Sequence, residues 1–371
     1  MLFRSSTPSS PASCDCIERS PQQHTVSLAV GEADRAMIGA ARVRLARITD
    51  LSALAALSRS ATRSLGLPIG IGALGLFRLA RMPLSLLRPT DLIWVHERNG
   101  VLDGFARIER DGRDDWSLVE LSGAGGDSGD VRHALLGRLA REAARAGAER
   151  IYVACAERDG NVELLASNSF QPYTDETIYL RPPTPSDESL ARLAALRPAE
   201  ASDGLRLSLH HRAMTPPAVA RMEAIEGGAW DRLVRGTWAP RSCVTPLLRL
   251  VEATTFIVDG SVDGRGPEIG GWIQIGVARE EGAEHPHALR ISLAPGVNPG
   301  PIIAAGIGEI ARRAKPAGTA ANATLVVRRS YEGGLEAALA DAGFTPSGEL
   351  RLLVREVRGR VRAQGLLPAV G

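Results

Sequence analysis

The chain has 371 residues, 44% of them hydrophobic, and a formal net charge of +2. That length supports two domains with real cores, and no apolar run reaches the ~18–20 residues that a membrane-spanning helix needs. Lys315 is the only lysine, every other basic side chain being arginine. This is the usage of a GC-rich bacterial genome, even a heat-adapted one. The arginines alternate with Asp and Glu along helices, which argues against a nucleic-acid partner; Arg355 to Arg362 is the one local basic run. Cys14, Cys16, Cys155 and Cys243 have no metal-ligand spacing, so no metal is expected, and the expected setting is a reducing cytoplasm.

Residues 1–40 are rich in Ser, Pro and Gln and lack an apolar core, so they read as a disordered tail and not as a signal peptide or a span. Met37 is a second candidate start. Arg42 to Asp50 alternates as a first strand, with Asp50 placed to cap the helix from Leu51 to Leu57. Ile69 to Leu87 contains Gly70, Gly72 and Gly75 and reads as a loose helix or lid. Asp91–Glu97 and Leu102–Ile108 flank Arg98-Asn99-Gly100, a hairpin signal. Trp116–Leu121 is the next strand and runs into a Gly-rich turn, Ser122 to Gly129. Asp130 then caps a helix with Val131, Ala134, Leu135 and Leu139 on one face, ended by Gly147. Ile151–Ala154 is a strand, Asn161–Ser169 a short helix, and a last strand follows Phe170 near Thr177–Leu180.

Pro182-Pro183-Thr184-Pro185-Ser186-Asp187 is a linker signal. Beyond it the order recurs. Leu196 to Asp203 opens the second copy, and Pro216–Trp230 reads as a helix. Thr255–Asp259 pairs with Ile269–Val277, and Leu289–Leu293 is the strand before the turn. Pro301–Ala314 is the helix, Thr324–Arg328 a strand, Leu335–Ala342 a helix, and Leu350–Val354 the close. A repeat of roughly 150 residues indicates a duplicated domain. The expected organisation is a tail at 1–40, domain one at 41–181, a linker at 182–195, domain two at 196–357 and a tail at 358–371.

Strand, Gly-rich turn, amphipathic helix, strand, short helix, Gly-Phe: this succession resembles the acyl-CoA core of the GNAT N-acetyltransferase superfamily, in which tandem arrangements occur. The resemblance implies an α/β (α+β) fold of two tandem GNAT-like domains, each a mixed twisted sheet flanked by helices. It implies an acyl-CoA-dependent N-acyltransferase that takes acetyl-CoA as co-substrate. The acceptor is a small-molecule or peptide amine, and neither a membrane nor a nucleic acid is implied; a homodimer is compatible with it.

In such a site, backbone N–H groups of the turn and the positive end of the following helix cradle the pyrophosphate. The residues implied for this are Leu121, Ser122, Gly123, Gly125, Gly126, Ser128 and Gly129. The usual motif is degenerate here. The first copy sets Asp127 and Asp130 towards a polyanion, each costing about 1 kcal/mol at ~4 Å in water-like surroundings. The second copy sets Pro299 and Pro301 there, and losing two charge-assisted N–H bonds forfeits roughly 3–6 kcal/mol.

Glu120, on the strand before the turn, is the implied catalytic base. Leu165 and Leu339 occupy the position of the usual acid tyrosine, with Tyr173 and Tyr331 nearby. His285-Pro286-His287 reads as a hairpin connection and His210-His211 as a surface pair on a helix. Cys155 reads as an inert core residue. The alternative to an enzyme is a catalytically inactive GNAT-like binding or scaffold protein.

Overall fold

The computed structural model describes residues 41–60, 65, 91–111, 114–125, 128–157, 160–185, 187–192, 196–245, 247–260, 269–283 and 285–357. The expected tails, the lid around residues 69–87, Cys14, Cys16, Met37, Gly126 and Asp127 lie outside them.

Each repeat opens on the same local device. Arg44 reaches Asp50 with both guanidinium ends (2.6 and 3.0 Å), while the Arg47 N–H donates to Asp50 at 2.6 Å. Arg197 does the same to Asp203 (2.9 and 3.0 Å), with the Glu200 N–H at 2.8 Å. The shared spelling is Arg-x-Ala-x-x-Thr/Ser-Asp. The ion pair holds each Asp well below its ordinary carboxylate range, so both stay charged where they bind the chain entering a helix.

In chain order the first half contains β1 (Arg42–Leu45), a 3-10 turn (Ile48–Asp50), α1 (Leu51–Ser60), β2 (Asp91–Arg98) and β3 (Val101–Asp111). It continues with β4 (Asp115–Gly123), α2 (Ser128–Ala146), β5 (Arg150–Cys155), α3 (Asn161–Ser167) and β6 (Gln171–Arg181). The second half contains β7 (Arg197–Pro198), α4 (Asp203–Met214), α5 (Pro217–Glu223), α6 (Gly227–Val234), β8 (Leu250–Asp259) and β9 (Ile269–Ala278). It ends with β10 (His287–Leu293), α7 (Pro299–Ala314), β11 (Thr324–Arg329), α8 (Leu335–Asp341) and β12 (Thr345–Glu356). The β2–β3 turn takes left-handed backbone at Asn99 (φ 54°) and Gly100 (φ 78°), the twist a two-residue hairpin favours.

All twelve strands join one sheet in the order β1-β2-β3-β4-β5-β12-β6-β11-β10-β9-β8-β7. The order is symmetric about its centre, and the symmetry includes an exchange. A gap one strand wide separates β5 from β6, and β12 fills it, pairing with both. Conversely, β6 lies between β12 and β11. Each half thus lends its last strand to the other.

Two layers cover the sheet. On one face α2 and α3 pack over Trp116, Leu118 and Leu121, and α7 and α8 over Ile273, Leu289 and Val326. On the other face α1 covers Val95 and Phe105, and α4 and α6 cover Ile257 and Trp272. Between them, Cys243, Val244, Leu247 and Leu248 cover Val119, Ala154 and Val327.

Several local expectations need correction. Pro216–Trp230 is not one helix: Ala224 adopts φ 42° and separates α5 from α6. The start of the expected linker is a knot, not a spacer. Arg181 grips Asp187 through two bonds of 2.7 Å and donates to the Ala342 carbonyl at 2.7 Å. His287 is the first residue of β10 and is buried; its Nδ1 accepts from Ala278 N–H (3.1 Å) and its Nε2 donates to the Thr319 carbonyl (2.9 Å). His210 is fully buried and His211 half-buried, so the pair is not a surface feature.

Candidate functional site

The parallel ladder between β4 and β5 holds only from Asp115 to Leu118, and that between β10 and β11 only from His287 to Leu289. Beyond these points each pair diverges and leaves a wedge. In the first half Val119 is an extra residue against β3, since Leu118 faces Ile108 and Glu120 faces Arg107. Such a bulge bends the strand. It also keeps Val119 and Glu120 together on the face away from α2.

The Gly-rich turn closes tightly. A side chain on Gly123 would meet the Ser128 carbonyl oxygen at 2.7 Å, so only glycine lets the strand end approach the helix start. The Ala124 N–H is tied to the Asp103 carbonyl at 2.7 Å. Gly125 adopts φ 78° with open space around it. Ser128 and Gly129 then form the first turn of α2, where N–H groups have no acceptor within the helix. Asp130 is in that same turn. Arg132 folds back to the Ser128 carbonyl (3.2 Å) and to the Asn161 side chain at the start of α3 (3.0 Å).

Of the residues expected to act, Leu121 is buried in the core beneath α2, so only its backbone is available to a ligand. Ser122 is buried, and its hydroxyl has no partner among the described residues. Glu120 lies 3.7 Å from the buried Arg107. Gly126 is outside the described residues. Leu165 and Leu339 are core residues. Cys155 is buried, and burial pushes its thiol up to about 12, as expected of an inert cysteine.

The second wedge is built differently. Arg290, buried at the point of divergence, donates to the Val327 carbonyl on β11 at 3.2 Å and pairs with Glu332. Its side chain bridges the two strands just past the end of their ladder. On the same face of β10, His210 Nε2 meets the Ser292 hydroxyl at 3.2 Å. The helix start is sealed too: Asn298 caps it by accepting from the Gly300 N–H (3.1 Å), between Pro299 and Pro301.

A cavity opens beside the first wedge on the face away from α2. Its floor includes Ser117, Val119, Tyr152 and Ala154, and its roof includes Thr237, Trp238, Arg241 and Cys243 of the second half. Tyr173 lines it, edge-on to Tyr152 with centroids 6.5 Å apart. Arg241 stacks over Tyr152 at 4.4 Å, pairs with Asp115, and adopts φ 61°, a backbone position costly for a side chain of its size. Glu109, not Glu120, is the carboxylate that lines this cavity. Sequence reading missed Glu109, Tyr152 and Arg241 because they lie on strands and a roof loop far apart in the chain. The one available signal was alternation, which puts Glu109 and Ser117 on one face.

No protein-family model matches this chain, and no curated protein is similar to it in sequence. Among solved structures, it is similar to a tandem GNAT protein from the clavulanic acid biosynthesis pathway. The match has 13% identity and a TM-score of 0.50, over 86% of this chain and 99% of that one. It also matches a GCN5-related N-acetyltransferase from Sphaerobacter thermophilus at 13% identity and a TM-score of 0.45, over 86% and 96% of the two chains. An N-acetyltransferase from Staphylococcus aureus Mu50 matches 38% of this chain and 88% of its own at 20% identity, with a TM-score of 0.33. The repeated order of elements, the paired wedges and the full-length match of the first of these together show a GNAT fold carried twice in tandem.

Proposed function

We propose that the chain is an acyl-CoA-dependent N-acyltransferase with one working site, in the first half. The observation that carries this is the contrast between the corners: in the second, Arg290 reaches across to the Val327 carbonyl and the helix starts on Pro299 and Pro301, whereas in the first the β4–β5 ladder ends at Leu118 and the strand runs into a turn that only glycine can make. The first-half residues fit a thioester carrier on two counts. Ser122 offers a buried hydroxyl without a partner, and the first turn of α2 offers N–H groups beside a turn that only glycine can make. The second half fails both counts.

An acyl-CoA held there supplies the activated thioester, and the protein supplies position and protons. Glu120, beside Arg107, accepts the amine proton directly or through water. The Ser122 hydroxyl is the donor at hand for an oxygen that gains charge. Tyr173 faces the cavity, and burial raises its phenol well above the ordinary value. It therefore stays protonated at neutral pH and can protonate a departing thiolate.

A non-catalytic binding module is the second reading, and one observation favours it. The Leu65 carbonyl accepts from the Ala156 N–H at 2.8 Å, so the chain at Leu65 occupies the end of β5.

Calorimetry with acetyl-CoA separates the two. Saturable binding is expected, and its absence at millimolar concentration removes the acyltransfer reading. Ser128→Pro deletes one N–H where a helix tolerates proline, and should weaken binding by about 1.5–3 kcal/mol. Asp130→Asn should tighten it by about 1 kcal/mol, because a carboxylate leaves the neighbourhood of the phosphates.

A further inference from the structure

The cavity over β4 and β5 has a volume of about 180 Å³, and a void of about 150 Å³ already admits benzene. Aromatic residues make up only 4% of the chain, yet Tyr152, Tyr173 and Trp238 all line it. Val119, Ala154, Leu247 and Leu352 add apolar wall from a single buried cluster. Tyr152 and Tyr173 already meet edge-on, an arrangement that a third ring extends.

The polar groups around this space are engaged with the chain itself. Tyr152 donates to the Met222 and Glu223 carbonyls at 3.0 Å, Ser242 to Glu176 at 3.3 Å and Thr245 to the Ala239 carbonyl at 2.9 Å. Asp115 neutralises Arg241, and Glu109 has a partner within the chain. Arg110 holds its guanidinium over Trp116, on the α2 side of the sheet, and Arg232 is an exposed rim residue. An ionised group inside would lose its water with nothing to replace it. The space therefore suits an uncharged ring. Glu120 follows Val119 on the same face of β4, so a molecule whose body lies over Val119 can turn its nitrogen to the proposed base.

Resting on the acyltransfer reading, we infer that the acceptor is an aralkyl amine. Its uncharged aromatic ring sits among Tyr152, Tyr173 and Trp238, and a short alkyl link carries its amine to Glu120. The second half then contributes to the reaction by supplying Trp238 and Leu247 to the acceptor cavity, although its own corner is closed.

The ring subsite can be read without any acyl transfer. The full chain is titrated with phenethylamine, with butylamine (an ammonium without the ring) and with phenylalanine (the ring amine plus a carboxylate). Phenethylamine should bind saturably and at least about tenfold more tightly than butylamine, the range for burying one ring. Phenylalanine should bind no more tightly than phenethylamine. Ala154→Met fills the cavity from its floor and should weaken phenethylamine by about tenfold while keeping the parent melting temperature. Trp238→Leu removes an aromatic wall and should weaken phenethylamine by about fivefold, with butylamine unaffected. Saturating acetyl-CoA should leave phenethylamine bound, because the acetyl group brings no ring to the cavity. Equal affinity for phenethylamine and butylamine, tighter binding of phenylalanine, displacement by acetyl-CoA, or binding untouched by both substitutions overturns the inference. Acetyl-CoA titrations on the same samples keep the two ideas apart. Phenethylamine bound without acetyl-CoA defeats the acyltransfer reading and leaves the ring subsite standing; acetyl-CoA bound without phenethylamine does the reverse.

Discussion

Replacing Arg329 with methionine should destabilise the protein by about 3–5 kcal/mol, the cost of removing one partner from a buried ion cluster. Arg329 is almost wholly buried at the end of β11 and pairs with Glu176 on β6 (3.3 Å) and with Glu223 at the end of α5. It also donates to the Arg241 carbonyl at 2.7 Å and to the Tyr331 hydroxyl at 2.9 Å. Glu176 in turn accepts from the Cys243 N–H at 2.8 Å. One guanidinium thus ties the exchanged strand of the first half to the cavity roof of the second. Without it, two buried carboxylates face each other unneutralised. A fall in the denaturant midpoint, partly reversed by adding Glu223→Gln, is the expected result. A midpoint equal to the parent's would show that the cluster contributes nothing.

Acidification should also destabilise the fold well above the range where surface carboxylates titrate. Burial lowers His210 from 6.5 to about 4 and His211 to about 3. The folded state therefore keeps both rings neutral where the unfolded chain protonates them. Because the unfolded state binds more protons, stability falls as pH drops below the unfolded value of 6.5. From about pH 7 to about pH 5 each ring costs roughly 2 kcal/mol. Glu223, raised by burial, takes up a proton more readily when folded and offsets part of this. Denaturation at both pH values should show the loss in the parent and a flatter response in His210→Gln/His211→Gln. An unchanged parent midpoint at the lower pH contradicts it.

The strands and main helices were legible because their apolar periods are strong. The β2–β3 turn needs Asn99-Gly100, and α2 shows its buried stripe through Val131, Leu135 and Leu139. The sealed helix start at Pro299 and Pro301 was legible for the same reason: proline carries its consequence with it. The strand exchange was not, because the partners of β12 lie roughly 200 positions away and local pattern is blind to such pairing. The burial of His210 was not legible: on α4, Leu205 is 70% exposed and Leu209 45% while His210 is inside with Leu207, and a pair of histidines carries no local signal of which side meets the sheet. The Arg290–Glu332 bridge spans 42 residues and needs the wedge to be seen first. The cavity over β4 and β5 draws on β3, β4, β5, β6 and a roof that includes Trp238, Arg241 and Cys243, which only the assembled sheet brings together.

Everything proposed about activity depends on one asymmetry between two copies of the same strand-to-helix corner. Amide hydrogen exchange with and without coenzyme A reads both corners in one experiment. Slowed exchange confined to Ser122, Gly123 and the Ser128 to Val131 turn is the predicted outcome. Protection of the Ala294 to Ile302 corner, or of neither, would contradict the account.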